Sequence, residues 1–515
     1  MTGGMLGELF TALAFASAGV SMVAYFLADR KSRPEEADSW SKLGTQSFII
    51  HIVSVIGVIA TLFGMIYFHQ YEYHYVWAHS SNELPVYYMI SCFWEGQEGS
   101  FLLWSFWHSI LAIFIIRKRN EWRNSVMGVI ASVELILSSM ILGIYLDDNI
   151  VTGIFVLMGL LPAAWLAYRY ANQRKQLVMD GSFHLLSLIV AGLYFILLFG
   201  PNSGFQDSFS WGDSIGNGIT GITFGLITLF VFLYFIANMV FVYRSGEAGN
   251  YSLWDIAAGL TLFVGLAVSM FYGPDIWKVG STPFSLLKDT FPNDPIYKTD
   301  PDFSPTNGTG LNPLLQNYWM VIHPPTLFLG FASTVIPFAY VMAGLFRGKY
   351  KEWIRPAMPW VTFSVLILGV GIIMGGYWAY ETLNFGGYWN WDPVENSSFV
   401  PWLCGVASLH AMLIYRKSKA YLGMTMILII STFILVLLST FLTRSGILGE
   451  TSVHTFTDLG LSGQLLILLL GYLTFVVVSL LLRWREIPTR IDESKVWTAE
   501  FMIFLGVLVF VFSGG

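Results

Sequence analysis

The sequence predicts an all-α, polytopic helical membrane protein with about 14 transmembrane helices, at ~20 apolar residues per span, joined by short external loops, one of them rich in tryptophan. Three observations predict it. Of 515 residues, 55% are hydrophobic and 12% are charged, about half the charged share of a soluble globular chain. Apolar runs of spanning length recur from one end of the chain to the other. Finally, if those runs alternate across the bilayer, every Lys and Arg except Lys278, Lys288, Lys298 and Arg444 falls on the inner side, as the positive-inside rule requires.

The first run, 5–27, has no Lys or Arg before it, and Arg30, Lys31 and Arg33 follow it. It therefore reads as a retained span with an outer N-terminus, not a cleaved signal peptide. Runs at 47–68, 98–116 and 125–145 complete an N-terminal bundle over 1–145. Four more, 151–168, 183–200, 220–243 and 254–271, form an additional group over 146–271, and the Pro- and Asp-rich stretch 272–323 is an external loop. Runs at 324–346, 358–380, 398–415, 421–442 and 463–482 make a core over 324–482, with the aromatic segment at 381–402. The remainder, 483–515, holds an inner loop and a last run, 496–513. The end at Ser513-Gly514-Gly515, directly after an apolar run, reads as a split or truncated chain. The outer segments 69–97, 272–323, 381–397 and 443–462 are each too small for an independent soluble domain.

Composition also excludes functions. With 27 basic against 33 acidic residues and a net charge of −6, no basic stripe is present to neutralise nucleic-acid phosphates. Cys92 and Cys404 lie far apart with no CxxC, so the chain offers no dithiol motif, no cysteine zinc site and no CxxCH of its own.

The residues that can carry chemistry gather toward the outer face. Phe385, Tyr388, Trp389 and Trp391 are packed into seven residues around Gly386 and Gly387, which permit close backbone approach, denser than an interfacial aromatic belt. A flat apolar ligand such as a porphyrin suits those rings. Asp392, Pro393 and Glu395 are in capping-box order for the helix that follows. His323 is expected to open a helix at the outer face, because Pro324 and Pro325 are tolerated in a first turn. His454 falls in the outer loop after the span 421–442. These two imidazoles could ligate a haem iron from its two faces, whereas each taken singly reads as a boundary histidine. His410 lies inside a span, where it reads equally as a buried haem ligand or a hydrogen-bonded packing residue. Arg444, at the outer end of a span, would suit an anionic partner such as a haem propionate, with a bridge to Glu450 or a lipid contact as the alternative. Glu134 sits in mid-span, more readily paired with polar neighbours than acting on protons; His51, His108 and His184 have weaker claims. His69, His74 and His79 read as interface residues rather than a metal site. Gly369, Gly371 and Gly375 lie within a span and indicate close helix packing, not a dinucleotide fingerprint, and Asn307-Gly308-Thr309 is a sequon by pattern only.

With these residues assembled, the chain resembles the CcmF family of cytochrome c maturation haem lyase subunits, within a wider haem-handling group defined by a tryptophan-rich WWD domain. The resemblance runs through Leu84-Pro85-Val86-Tyr87-Tyr88, Glu98-Gly99-Ser100, Asn312-Pro313-Leu314-Leu315-Gln316, His323-Pro324-Pro325, Trp378-Ala379-Tyr380, the segment from Phe385 to Trp402, Thr440 to Gly446, and Ser452-Val453-His454. It implies that His323 and His454 are external haem-iron ligands and that His410 is one of two ligands to an intramembrane haem b. It further implies a site in the bacterial cytoplasmic (inner) membrane with the N-terminus and WWD segment periplasmic. The implied activity takes haem from the chaperone CcmE and attaches it to apocytochrome c with CcmH-type subunits as partners, through thioethers between the haem vinyls and the cysteines of CxxCH. Nitrite-reductase-type lyase subunits share these motifs. Phe385 and Tyr388 stand where the family has tryptophans, Gln97 stands where a histidine is expected, and the sequence ends before a second intramembrane histidine. The alternatives are a haem transporter of the CcsA type and a structural haem b electron-transfer subunit.

Overall fold

A computed structural model describes residues 3–31, 33–118, 120–145, 278–383, 386–448 and 460–488, with five isolated positions between 499 and 506. The predicted spans between 151 and 271, most of the last run, and His184, Phe385, Glu450 and His454 lie outside the described residues. The chain divides into one unit of 1–143 with 280–515 and another of 144–279. In the latter the described residues are the antiparallel strands β1 (Ile144–Tyr145) and β2 (Lys278–Val279).

Eight helical stretches among the described residues are long and apolar enough to cross a membrane, and the protein is a multi-pass membrane protein built from helices. In chain order the helices are α1 (Gly3–Arg30), α2 (Pro34–Tyr67), α3 (His74–His79), α4 (Val86–Glu95), α5 (Gln97–Arg117), α6 (Arg123–Ser139), α7 (Leu287–Thr290), α8 (Pro295–Thr299), α9 (Tyr318–Ser333), α10 (Val335–Arg347), α11 (Ile354–Thr382), α12 (Pro393–Ser418), α13 (Leu422–Arg444) and α14 (Ser462–Arg483). α9 and α10 together make one crossing stretch, Tyr318–Arg347.

Small residues set the packing of the first helix. Gly4, Gly7, Thr11, Ala14, Ser17, Ala18 and Ser21 form its buried stripe at spacings of three and four, which lets helices approach closely where no hydrophobic drive acts between them. That stripe meets α2 and α6. By contrast, Ile49, Val53 and Ile56 of α2 and Leu366, Val370 and Ile373 of α11 are exposed, apolar faces suited to lipid. α10, with α9 before it, is the most enclosed crossing, and α9 packs along α11 as α12 does along α13. Above the bundle, the chain from Ser281 to Asn317 lies over α3 and α4. Thr309 N donates to Trp77 O at 2.8 Å, Asn82 Nδ2 donates to Thr306 O at 2.9 Å, and Ser281 Oγ donates to Glu98 Oε1 at 2.6 Å.

Two expectations are corrected. The span placed at 125–145 ends at Ser139, because Gly143 adopts a left-handed φ of 65° and the chain turns into β1. His323 does not open its helix. α9 begins at Tyr318, capped by the Asn317 side chain, so Pro324 and Pro325 lie in the helix interior. The interior prolines persist because Trp94 Nε1 donates to Met320 O at 3.1 Å. That carbonyl is the one Pro324, without an N–H, leaves without its helical donor.

Candidate functional site

At one end of the bundle, α4, α9, α11, α12 and α13 enclose a cavity of about 310 Å³, at the lower end of the range for cofactor pockets. Of the candidate haem-contacting residues Phe385, Tyr388, Trp389, Trp391, His323, His410, Arg444 and His454, its lining brings together His323, Trp389 and Arg444.

His323 is held by α11. Its Nδ1 lies 2.8 Å from Gly371 O, and against a carbonyl that nitrogen must donate. In the neutral ring the lone pair is then on Nε2, the arrangement of a metal-ligating histidine whose other N–H is fixed by a backbone acceptor. The absence of side chains on α11 makes this approach possible. A Cβ on Gly371 would lie 2.8 Å from Leu327 Cα, and one on Gly375 would lie 2.8 Å from His323 Cε1. Gly371 and Gly375 are thus contact points for α9 and Gly369 for Trp402 of α12, the close packing their pattern suggested.

Trp389 reaches the cavity from the turn before α12. The capping box expected there is formed: Val394 N donates to Asp392 Oδ1 at 2.7 Å and Asp392 N donates to Glu395 Oε2 at 3.1 Å, with Asn390 N donating to the same oxygen at 2.9 Å. Glu395 lines the cavity, but its carboxylate is committed to that turn. The Trp389 ring packs edge-on against Phe399 at 5.5 Å, and its buried indole N–H has no hydrogen-bond partner among the described residues. An orphan donor at a cavity wall is a feature that a bound polar group would satisfy.

Arg444 closes α13 and is 7% exposed. Its Nε donates to Ser100 Oγ at 3.1 Å and its Nη1 to Thr443 Oγ1 at 3.0 Å. The guanidinium lies over the rings of Phe101 and Phe328, 5.6 and 5.4 Å from their centres. Gln97 Nε2 donates to its carbonyl at 3.1 Å, tying α13 to the first turn of α5. A buried cation held this way at a cavity wall favours an anionic ligand group there. Trp94, Trp378, Leu327, Phe328 and Phe331 supply the apolar walls.

Of the other predicted residues, the three that are described lie outside the cavity lining. Tyr388 stacks on Tyr380 at 4.4 Å and 6°, outside the cavity lining. Trp391, 61% exposed and held at φ 55°, packs edge-on against Trp389 at 6.0 Å. His410 is exposed, with Nδ1 donating to Val406 O one turn back at 2.8 Å. Conversely, Trp94, Glu95 and Met320 enter the site without having been singled out. Glu95 lines the cavity and pairs with His79 at 3.1 Å, so His79 is more than an interface residue. For Trp94 and Glu95 the nearest sequence signal was their position just ahead of Glu98-Gly99-Ser100.

The family model for "Cytochrome C assembly protein" matches residues 220–448. The chain is 38% identical over 219 residues to the cytochrome c-type biogenesis protein CcmF of Haemophilus influenzae, covering 42% of this chain and 33% of that one. It is 36% identical over 231 residues to the protein of the same name from Escherichia coli, covering 44% and 35%. Over these stretches the chain is similar to the CcmF proteins. A solved structure titled "Cytochrome c Heme Lyase CcmF" shares its fold, with a TM-score of 0.50 at 17% identity over 99% of this chain and 61% of that one. The stretches matched in the two CcmF sequences amount to about a third of their length. The residues matched by the family model, 220–448, contain most of the cavity: His323, the turn bearing Trp389, and Arg444. The cavity thus lies largely within the part of the chain that carries the similarity.

Proposed function

We propose that this chain is the membrane subunit of a cytochrome c haem lyase, holding haem at the periplasmic face of the bacterial inner membrane and attaching it to the CxxCH of apocytochrome c. The observation that carries the reading is the convergence of His323, Trp389 and Arg444 on one apolar cavity. That donor set fits haem as the substrate. An imidazole fixed with its lone pair on Nε2 suits the iron, a buried guanidinium suits a propionate, and tryptophan and phenylalanine walls suit the macrocycle. His454 is the candidate for the iron's opposite face, and the rings of Phe385, Tyr388 and Trp391 for its exposed edge. His410 is assigned to a separate intramembrane haem b.

Bound haem supplies two vinyl groups, to each of which a cysteine thiol adds; a C–S and a C–H bond replace the vinyl π bond and the S–H bond, so no redox co-substrate is needed. The residues of this chain act by position. His323 and Arg444 fix the ligand's tilt and depth, and the aromatic walls exclude water, so that the attack by a docked apoprotein becomes effectively intramolecular. The partners in this reading are CcmE as haem donor and CcmH-type subunits that present apocytochrome c.

Haem content by pyridine haemochrome, on the purified full chain beside a His323→Gly, His454→Gly double variant, tests the site. The reading expects haem b that falls in the variant; equal content in both would place haem binding elsewhere.

A further inference from the structure

Three ionisable side chains from three helices meet in the middle of the bundle, outside the cavity lining. His51 of α2 places Nε2 2.8 Å from Glu134 Oε2, and His108 of α5 places Nδ1 2.5 Å from Glu134 Oε1, with all three side chains fully enclosed. His51 Nδ1 is 2.9 Å from the carbonyl of Ala14 on α1. His108 Nε2 has two neighbours of opposite kind: the indole N–H of Trp104 at 3.2 Å and the carbonyl of Ala332 on α9 at 3.1 Å.

Counting protons over these contacts gives two self-consistent states. Ala14 O and Glu134 Oε2 are both acceptors, so His51 satisfies them only by carrying a proton on each nitrogen. Glu134 Oε1 needs a proton on His108 Nδ1. With Glu134 ionised, the cluster is then neutral when His108 Nε2 is bare and accepts from Trp104. It carries one positive charge when Nε2 is protonated and donates to Ala332 O. Either state makes one bond at Nε2 and forgoes the other, so a proton can enter or leave without a buried nitrogen losing all its partners. A purely structural network would need only one of these neighbours.

We propose that the His51–Glu134–His108 cluster is a buried, reversible proton-binding site, with His108 Nε2 as the atom that gains and loses the proton. The titratable groups facing Glu134 are the two histidines and Tyr472 of α14, whose hydroxyl is bonded to Ser132 Oγ at 2.7 Å. Among the described residues, α1 and α9 present to the cluster the carbonyls of Ala14 and Ala332. The site is linked to the cavity: Trp104 packs edge-on against Phe328 at 6.4 Å, and Phe328 lines the cavity on its other side. A proton taken up at His108 therefore adds positive charge one aromatic layer behind the cavity wall, in the sense that favours an anionic occupant.

The test is ring-nitrogen NMR of the full chain, labelled with 15N-histidine in lipid nanodiscs and followed from pH 5 to 9, the window in which imidazole ordinarily titrates. Signals are assigned with His51→Gln and His108→Gln. The expected result is His51 doubly protonated throughout and His108 passing from one ring proton to two as pH falls. Trp104→Phe removes a bond that only the neutral state makes, so it should tighten proton binding about tenfold, raising the midpoint by about one pH unit. Glu134→Gln should abolish the doubly protonated state of His51. A His108 that keeps one proton count from pH 5 to 9, or an unmoved midpoint in a Trp104→Phe protein that melts like wild type, would overturn the proposal.

Discussion

Replacing Gly375 by alanine puts a methyl carbon where the His323 ring now lies. The added Cβ would sit 2.8 Å from Cε1 and 3.1 Å from Nε2, against an optimal carbon–carbon separation of ~3.5–4.0 Å. Either the imidazole turns from its bond to Gly371 O or α11 withdraws from α9. Overpacking of this kind costs ~1–3 kcal/mol. Charged wholly to the bound state, that is a loss of about 5- to 150-fold in affinity, at ~1.4 kcal/mol per factor of ten. Haemin titration of the purified chain in nanodiscs, read at the Soret band, measures the affinity, and a thermal melt measures any strain carried by the empty site. Gly471→Ala on α14, where an added Cβ has nothing within 4 Å, is the matched control. A Gly375→Ala protein with wild-type haemin affinity and a wild-type melt would refute the claim that close approach of α11 aims His323.

Trp94→Phe leaves Met320 O without the donor that substitutes for Pro324, and should cost ~1–3 kcal/mol in unfolding free energy; a melt indistinguishable from wild type would count against that account of the interior prolines. Asp392→Ala removes the cap of α12 and should cost ~1 kcal/mol, read by the same melt. Arg444→Gln should weaken binding of protoporphyrin IX more than that of its dimethyl ester, and equal losses for both would remove the propionate assignment. Cys92, whose thiol is pushed well above its ordinary value by burial and by the nearby Glu95, should resist maleimide at pH 8 in the folded chain and react after denaturation.

Much of the fold could be read from hydropathy, because a bilayer demands long apolar helices whatever their partners. The capping box at Asp392 was equally legible, being local in sequence. What failed depended on contacts between distant segments. Pro324 and Pro325 argued for a helix start at His323 because sequence does not show that Trp94, more than 220 residues earlier, supplies the missing donor. Trp389 and Trp391 looked equivalent two residues apart, yet the backbone at Trp391 turns through positive φ and only Trp389 lines the cavity. His51, His108 and Glu134 were each visible as intramembrane ionisable residues, but their meeting across three helices is a tertiary fact that no spacing encodes. Glu95 joined the site, with His79 paired behind it, for the same reason.

The central claim is that the cavity around His323, Trp389 and Arg444 serves covalent attachment of haem. It is tested most directly by haem staining, on a denaturing gel, of a CxxCH apocytochrome c made in cells whose gene for this chain is intact, deleted or carries His323→Gly. The account predicts a stained cytochrome with the intact gene, none with the deletion, and a large loss with His323→Gly at unchanged chain abundance. Full staining without the chain would contradict the lyase reading, and full staining with His323→Gly would contradict the role assigned to the cavity.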